Sequence, residues 1–378
     1  MKYDLRRIVK QFQINAHYVN AVPYGTGHIN DTFLIACNQS GCEIRFILQR
    51  INHSIFNDPP ALMNNIIRVT CHIRDKMQQA GYKGILRRVL TVIPAYDGGA
   101  YYRCASGNYW RMYHFIEGAR TYDVLQTIEQ AYQAAKAFGE FQGYLSDLPE
   151  PALVETIPNF HNAHKRYHAF LEVLEKDPCG RAASAKAEID YLNANAGLFD
   201  VLPKLVEMGR IPVRTTHNDT KINNVMIDDE THEGVCVIDL DTVMPGLSLY
   251  DFGDIVRTTA SNSQEDEKDL SKVRAEIPRF KAIVKGYLAG AGSFLNQAEV
   301  DHLVHSGKLI TMVIGTRFLT DYLNGDHYFK IHRENHNLER CRTQFKLVES
   351  LSEQEEILNQ LVKKYHQIIV KDTIPCAY

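Results

Sequence analysis

The sequence predicts an α+β fold built in two parts, with strands in the first third and helices in the remainder. Three observations predict it. Short runs rich in β-branched and aromatic residues, separated by glycine and asparagine turns, fill the stretch before about residue 120. Beyond that point, long segments repeat apolar residues with the period of an α-helix. One pair of short strand-like runs interrupts the helical part near residue 230.

An opening helix leads into strands joined by tight turns. Residues 20–24 run into the glycine turn 25–27, and the next strand-like run covers residues 32–36. The turn residues Asn38-Gln39-Ser40-Gly41 separate it from a run at 43–49. This order predicts antiparallel strands with a tight connection between them.

A helix and two more strands complete the first part. Pro59 and Pro60 suit the first turn of a helix whose apolar residues recur at Leu62, Ile66, Val69 and Ile73. Strand-like runs follow near residues 89–94 and 108–114, with glycine-containing turns between them.

The second part is predicted to be helical with one inserted hairpin. Short strand-like runs at 224–227 and 235–238 flank the acidic turn Asp228-Asp229-Glu230. Several helical segments begin near an Asp, Ser or Thr suited to N-capping. The segments with helical periodicity are 126–146, 187–208, 279–290, 303–324 and 338–370.

Composition disfavours several classes of function. The 378 residues carry a formal net charge of only −3, so neither a nucleic-acid surface nor a polybasic membrane patch is expected. No apolar run reaches the roughly 18 residues of a membrane span, and the N-terminus lacks a signal-peptide core. The eight cysteines form no C-x-x-C pair, so we expect mostly buried thiols in the cytoplasm. His161 and His164 have no cysteine partners at zinc-ligand spacing and are interpreted as surface residues.

Residues 216–241 are the most informative for chemistry. Asp219 and Asn224 place a carboxylate and an amide oxygen in one short loop, and the hairpin returns the chain to Asp239 at the end of an apolar strand. Phosphoryl transfer needs such a set: one carboxylate orients the acceptor hydroxyl and takes its proton, while two other oxygen ligands hold Mg²⁺ against the triphosphate of ATP. Asp241, which shares a face with Asp239 on a regular strand, is a candidate second metal ligand.

The pattern H-x-D-x-x-x-x-N at 217–224, followed by an apolar strand ending in Ile238-Asp239, resembles the catalytic core of the aminoglycoside phosphotransferase and choline kinase group. The resemblance implies that Asp219 is the catalytic residue, and that Asn224 and Asp239 bind Mg²⁺.

The same resemblance implies a two-lobed protein-kinase-like fold that uses ATP as co-substrate. Its parts would be a β-rich nucleotide-binding lobe at 1–114, a hinge at 115–118, and a helical lobe at 119–378 that carries the catalytic loop and the acceptor site.

Longer blocks resemble one family within that group, the bacterial N-acetylhexosamine 1-kinases. The family phosphorylates the anomeric hydroxyl of N-acetylglucosamine or N-acetylgalactosamine, so the resemblance implies a small-molecule sugar substrate. It places His28, Asp219, Arg317 and Tyr328 at the sugar; without it, His28 and Arg317 would be interpreted as surface residues. The matching blocks, in the family's order, are 24–33, 216–221, 238–246, 251–254, 317–323 and the region around 326–329.

Two further segments are candidate nucleotide contacts. The turn Gly25-Thr26-Gly27 would bring backbone N–H groups close to phosphate oxygens, although two glycines also suit any hairpin turn. The segment Phe115-Ile116-Glu117 matches the interlobe hinge, whose backbone would bind the adenine edge. A plain edge strand that ends in glycine is the alternative interpretation of that segment.

The sequence departs from the general kinase pattern at two points. Gln49 occupies the strand position that usually holds a phosphate-contacting lysine, and Arg50 faces the other side of a regular strand, so that cation stays unassigned. Asp251-Phe252-Gly253 has the letters of the metal-binding triplet of protein kinases, but it lies well past Asp219 and precedes a helical pattern. We therefore interpret Asp251 as a structural residue that braces the catalytic loop by hydrogen bonds.

The sequence leaves alternatives open. The acceptor could instead be another hexose, homoserine, choline or an aminoglycoside; a choline pocket should be aromatic and an aminoglycoside pocket acidic. A non-catalytic nucleotide-binding module is a rival from another class, which the intact Asp219, Asn224 and Asp239 disfavour. Oligomeric state and the choice between the two N-acetylhexosamines are not determined by the sequence.

Overall fold

The computed structural model describes residues 3–25, 27 and 29–373 of the chain. Thr26 and His28, which the sequence assigns to the phosphate turn and the sugar, lie outside the described residues. The rest form an α+β protein in which a five-stranded antiparallel sheet precedes a mostly helical part, as predicted. None of the helices so described is long and apolar enough to cross a membrane.

The N-terminal sheet has the strand order β1-β2-β3-β5-β4. Its strands are β1 His17–Pro23, β2 Asp31–Gln39, β3 Cys42–Ile51, β4 Tyr102–Arg103 and β5 Tyr109–His114. The predicted turn at 38–41 is a two-residue hairpin, because Gln39 pairs with Cys42. Ser40 and Gly41 have φ values of 54° and 89°, which match the twist of the flanking strands.

Helices pack around this sheet. α1 Leu5–Val9 belongs to an apolar core that includes Ile35, Leu48 and Trp110. α2 Pro59–Gln79 starts at the predicted proline pair, and its apolar face joins the larger core of the helical part. The short α3 Ile85–Arg88 follows it.

The predicted strand at 89–94 is not continuous. Val92 makes an isolated bridge to Tyr113 of β5, and Ile93 N donates to Met112 O at 2.8 Å. Pro94 has no N–H group with which to extend the ladder, so the pairing stops after one bridge.

Residues 115–118 connect the N-terminal sheet to the helical part. The helices there are α4 Ile128–Leu145, α5 Ala163–Lys176, α6 Lys186–Ala194, α7 Val201–Glu207, α8 Ser248–Thr259, α9 Ile277–Ala291, α10 Gln297–Asp301, α11 Leu303–Leu323, α12 His336–Glu353 and α13 Glu355–Thr373. The predicted helices at 126–146, 279–290 and 303–324 are confirmed as α4, α9 and α11.

Two predicted helices are interrupted and others were missed. The segments 187–208 and 338–370 break at Asn195 and Gln354, whose ψ angles of 11° and 6° stop regular helical bonding. The helices α3, α5 and α10 were not predicted, and α8 starts before the place after Asp251 where a helical pattern was noted. α8 is buried on almost every side, so it shows no polar face that would reveal its period.

Two small sheets carry the loops that form the site. The first contains β6 Ala119–Arg120, β8 Val225–Asp228 and β9 Gly234–Val237; the second pairs β7 Arg214–Thr216 with β10 Met244–Gly246. Residues 217–224 therefore connect β7 to β8, and residues 238–243 connect β9 to β10.

Glycines line the contact between α4 and α9. A Cβ atom on Gly286 would lie 2.2 Å from Tyr132 O, and one on Gly290 would lie 2.4 Å from Glu140 N. No side chain fits at these distances, so the two helix backbones touch directly.

The seven cysteines within the described ranges are free thiols. Only Cys37, Cys236 and Cys341 are buried, so the expectation that most of the thiols are buried is wrong.

Candidate active site

A buried histidine holds the loop that joins β7 to β8. His217 lies between the rings of Phe138 and Phe141, at centroid distances of 5.2 and 5.8 Å. Its Nδ1 accepts a hydrogen bond from Asp219 N at 3.3 Å, so its proton is on Nε2, which donates to Ile238 O at 2.9 Å. His217 therefore ties this loop to the one that follows β9.

Asp219, Lys221 and Asn224 meet at the open side of the first loop. Asn224 Nδ2 donates to Asp219 O at 2.8 Å and lies 3.2 Å from Asp219 Oδ2, while Lys221 Nζ lies 2.7 Å from Asp219 Oδ1. Burial raises the pKa of Asp219, but the charge and hydrogen bond of Lys221 lower it by more, so the pKa lies below its usual value. The Asp219 side chain keeps 23% of its surface accessible, so an ionised carboxylate is open to a ligand.

Asp251 braces this loop from α8, which confirms the predicted role. Its buried carboxylate accepts hydrogen bonds from His217 N at 2.9 Å, from Asn218 N at 2.7 Å, and from the side-chain amide of Gln142. Thr220 Oγ1 donates to Asp251 O at 2.7 Å. The triplet that begins at Asp251 lies inside α8 rather than ahead of a helix.

Asp239 follows the end of β9 by two residues. Its backbone is in the left-handed conformation, with φ 59° and ψ 58°, and the residue is exposed. Shielding by the surrounding protein, together with the negative charges of Asp241 and Asp219, raises the pKa of Asp239 to about 6. Asn224 lies across the hairpin, because Ile238 N donates to Asn224 O at 2.9 Å. A cation bound here would relieve the repulsion among the carboxylates.

Asp241 is the partner of a buried arginine. The shared-face argument for it is wrong, because β9 ends at Val237 and residues 240–242 form a 3₁₀ turn. Asp241 Oδ1 accepts from Arg111 Nη1, and Oδ2 accepts from Asn30 Nδ2 at 2.7 Å. Both oxygens are thus engaged by N–H donors, which argues against the expected role of Asp241 as a second metal ligand.

Sequence reasoning missed Arg111, a buried cation on β5 that is 1% exposed. It lies beside Gln49 of β3, whose Oε1 accepts from Arg111 Nε at 2.9 Å. Arg50, the neighbouring cation on β3, forms an ion pair with Asp31 at 2.6 Å. A charged residue inside the buried run 110–113 needs a buried partner, and that is the signal that could have drawn attention to Arg111.

His161 is buried, so its interpretation as a surface residue is wrong. It is 5% exposed, and its Nε2 lies 2.7 Å from Asn218 O. Burial lowers the pKa of His161 to about 4, so its imidazole is neutral at physiological pH. His164 is partly exposed and lies 2.9 Å from Asp200, which agrees with its predicted place at the surface.

Arg317 of α11 and Tyr328 lie together in an aromatic cluster. Arg317 Nη2 lies 3.3 Å from Tyr328 Oη, and its guanidinium is 5.5 Å from the ring centroids of Phe160 and Tyr328 and 5.4 Å from that of Phe329. Burial lowers the pKa of Arg317 below its usual value, and its hydrogen bond with Tyr328 and the charge of Asp219 offset only part of this shift. We call Phe160, Arg317, Tyr328 and Phe329 the acceptor cluster.

The candidate hinge and glycine turn lie against each other. The ring of Tyr24, which precedes Gly25, lies 5.9 Å from that of Phe115. Gly25 has a φ of 79°, and no atom lies within 4 Å of a Cβ built on Gly25 or Gly27, so the turn is open on that side. Arg45 lies 4.3 Å from the Phe115 ring and pairs with Glu117.

A small apolar cluster lies beside the candidate hinge. Ile116 packs with Ala119, Met226 and Cys236, and all four side chains are buried. The carbonyl oxygen of Glu117 accepts from Arg87 Nε at 3.0 Å, so it is engaged within the protein.

The chain is similar to known phosphotransferases in sequence and in fold. The sequence model of the phosphotransferase enzyme family matches residues 20–281, a span that includes Asp219, Asn224 and Asp239. The structure of a microcompartment-associated aminopropanol kinase is similar, with a TM-score of 0.56 and 14% identity over 94% of this chain and 98% of that one.

Two more solved structures share the architecture. One is an aminoglycoside phosphotransferase from Alicyclobacillus acidocaldarius, with a TM-score of 0.55 and 12% identity over 97% of this chain and 96% of that one. The other is a choline/ethanolamine kinase family protein from Mesorhizobium loti, with a TM-score of 0.55 and 15% identity over 92% of this chain and 93% of that one. At these identities the likeness shows the two-lobed protein-kinase-like fold.

Proposed function

Since the chain belongs to the phosphotransferase enzyme family, we propose that it is an ATP- and Mg²⁺-dependent kinase that phosphorylates the anomeric hydroxyl of an N-acetylhexosamine. The observation that carries the proposal is the apposition of Asp219, Lys221 and Asn224 beside Asp239. Phosphoryl transfer depends on positioning and on charge stabilisation, and this group supplies both.

Asp219 is the residue that orients the acceptor hydroxyl and takes its proton. Its lowered pKa keeps it ionised at neutral pH, and its accessible surface lets a hydroxyl approach. An anomeric hydroxyl is more acidic than an ordinary alcohol, so a carboxylate of low basicity suffices as proton acceptor. Lys221, with its Nζ 2.7 Å from Asp219 Oδ1, keeps this carboxylate ionised.

Asn224 and Asp239 fit a Mg²⁺ ion bound together with the nucleotide. No group of three or more His, Cys, Asp or Glu residues is arranged to hold a metal within the described ranges, so a cage built by the protein alone does not fit. Mg²⁺ usually takes only one or two protein ligands and completes its shell with phosphate oxygens and water. The ion would screen the triphosphate, and its charge would offset the burial and the carboxylate repulsion that together raise the pKa of Asp239.

The nucleotide would lie between the glycine turn and the hinge. Gly25-Thr26-Gly27 would meet the phosphates, and Phe115-Ile116-Glu117 the adenine. Because Glu117 O is engaged by Arg87, the backbone groups of Phe115 and Ile116 are the better candidates for the adenine edge.

The acceptor cluster favours a neutral polyol over a cationic acceptor. Its three rings are those that a choline pocket would need, but the guanidinium of Arg317 already lies over them at 5.4–5.5 Å. Among the described residues, the hydrogen-bond partner of this guanidinium is a tyrosine hydroxyl, and no carboxylate forms an ion pair with it. Such a charge would repel choline or an aminoglycoside, while its N–H groups suit sugar oxygens. Arg317, Tyr328 and His28 are therefore proposed as sugar contacts, together with Asp219.

A coupled assay of ADP release with Mg·ATP tests this function. The acceptors are N-acetylglucosamine, N-acetylgalactosamine, glucose, galactose, choline and homoserine, and phosphorus NMR locates the phosphate in the product. We expect a 1-phosphate to form fastest from the N-acetylated sugars. Release of ADP with another acceptor alone would refute the sugar assignment but keep the kinase. If ADP is released with none of the acceptors, the non-catalytic nucleotide-binding module would be favoured instead.

Replacement of Arg317 tests the acceptor cluster. The Arg317→Met variant should raise KM for the sugar at least roughly 10-fold and leave KM for ATP unchanged, because the loss of a charged hydrogen-bond donor costs about 1.5–3 kcal/mol. The matched control is Arg342→Met, which removes an arginine paired with Glu188. An unchanged sugar KM in Arg317→Met would contradict the placement of the acceptor.

A further inference from the structure

One peptide bond of the catalytic loop is held on both sides by histidines. It joins Asn218 to Asp219, and its N–H group donates to His217 Nδ1 at 3.3 Å. Its carbonyl oxygen lies 2.7 Å from His161 Nε2. The orientation of this peptide fixes the backbone from which the Asp219 side chain projects.

The neighbouring backbone needs this support. Asn218 has a φ of 65°, in the left-handed region that non-glycine residues seldom adopt. Its N–H group is held by Asp251, and its side-chain amide lies 3.0 Å from Thr242 O. The N–H group and the side chain of Asn218 are thus already held. Among the described residues, only His161 restrains the Asn218 carbonyl.

His161 is built to act as a donor at this point. It is 5% exposed, and its Nδ1 has no hydrogen-bond partner within the part of the chain that the structure describes. The atom 2.7 Å from Nε2 is a carbonyl oxygen, which can only accept a hydrogen bond, so Nε2 carries the proton and donates to Asn218 O. The rings of Phe160 and Tyr250, at 4.6 and 5.6 Å, prevent the imidazole from turning away.

The turn that carries His161 also carries part of the acceptor cluster. Phe160 lies beneath Arg317 at 5.5 Å, and its carbonyl oxygen accepts from Arg166 Nη2 at 3.1 Å. Asn162 caps α5 by accepting from Lys165 N at 3.0 Å, which anchors the turn to a helix. One rigid turn thus touches both the proposed sugar contact and the peptide next to Asp219.

We propose that His161 is a positioning residue for phosphoryl transfer, which orients the Asn218–Asp219 peptide and thereby aims the Asp219 carboxylate at the acceptor. The inference rests on the proposed function, because it takes Asp219 as the proton acceptor. His161 touches neither nucleotide nor acceptor in this role. It acts on the rate of the chemical step and leaves ground-state binding alone.

Two substitutions at this position separate donation from packing. His161→Leu keeps an apolar side chain but removes the donor, and His161→Gln places an amide N–H group within reach of the same carbonyl. We expect His161→Leu to lower kcat roughly 10–100-fold with KM for ATP and for the sugar unchanged, as a small misplacement of a catalytic group can do. His161→Gln should recover most of the loss. The number of active sites is measured by titration with Mg²⁺ and a non-hydrolysable ATP analogue.

A second measurement does not depend on turnover. Hydrogen exchange, followed by mass spectrometry of a peptide spanning residues 216–222, should be faster in His161→Leu than in wild type and His161→Gln. If kcat per active site and this exchange are both unchanged in His161→Leu, the inference is overturned. If wild type turns over no acceptor, the proposed function fails instead, and the exchange result still decides whether His161 holds the peptide.

Discussion

Replacing Arg111 by methionine would remove the positive half of a buried ion pair between the N-terminal sheet and the loop of Asp239. The Arg111 and Asp241 side chains are 1% and 3% exposed, so water and salt screen the pair little. Methionine fills much of the space of the arginine stem without a charge. Asp241 would be left as a buried carboxylate with Asn30 as its remaining side-chain donor.

The expected cost is large because the remaining charge is uncompensated. Removal of one partner from a buried ion pair costs about 3–5 kcal/mol. The hydrogen bond from Arg111 Nε to Gln49, at 2.9 Å, is lost as well. We therefore expect the free energy of unfolding to fall by about 4 kcal/mol, which for a chain of this length lowers the melting temperature by about 5 °C.

Trp110, which precedes Arg111 in the sequence, allows the loss of stability to be measured by fluorescence. Trp110 is the only tryptophan in the chain and is fully buried in the N-terminal core, so its fluorescence in a urea titration reports unfolding of this region. The double variant Arg111→Met, Asp241→Asn should recover about half of the loss or more, because it leaves no buried charge. A single variant that loses less than about 1 kcal/mol, or a double variant whose losses simply add, would refute the reasoning.

Three further predictions address catalysis, pH and packing. Asp219→Asn should lower kcat by about 10²–10⁴-fold while Mg·ATP binding, measured by calorimetry, stays nearly intact; near-normal turnover would contradict its role. Burial holds the pKa of His161 at about 4, whereas the unfolded chain takes up this proton near pH 6.5. The folded state with a neutral His161 is therefore favoured above about pH 6.5 and loses this advantage as the pH falls toward 4. From pH 7 to 5, the free energy of unfolding of wild type in urea titrations should fall by about 2 kcal/mol more than that of His161→Gln. Parallel curves of unfolding free energy against pH for wild type and His161→Gln would contradict the lowered pKa of His161. Gly286→Ala should destabilise the protein by about 1–3 kcal/mol in the same titration, since the new Cβ meets a backbone oxygen, while Gly197→Ala, with nothing within 4 Å, serves as control. Equal stabilities of the two alanine variants would show that the helices part without cost.

The loop that joins β7 to β8 was predictable because the residues that form its pattern lie within one short segment. Asp219 and Asn224 are close in sequence, and the geometry that brings them together spans one short loop, with Asn224 Nδ2 2.8 Å from Asp219 O. The brace by Asp251 followed from the same reasoning, since its distance from the loop and its helical context disfavoured a metal role. Helices α4, α9 and α11 were predicted equally well, whereas the periodic segments 187–208 and 338–370 each break into separate helices.

Contacts between distant parts of the chain were not predictable in this way. Arg111 and Asp241 are 130 positions apart, and neither segment alone indicates the other. His161 lies in an Asn/His-rich turn that has the composition of a surface loop, yet the packing of Phe160 and Tyr250 buries it. The error at Asp241 came from extending a strand through the left-handed Asp239, where the period of two ends.

The glycine contact between α4 and α9 has a consequence for motion during turnover. Gln142 of α4 holds the carboxylate of Asp251, and its Oε1 lies 2.8 Å from the hydroxyl of Tyr287 on α9. Two helices in direct backbone contact cannot slide past each other without a clash, so the support beneath Asp219 is stiff. Any shift of the N-terminal sheet relative to the helical part would therefore leave this glycine contact unchanged, and it would act on residues 115–118, which connect the two parts.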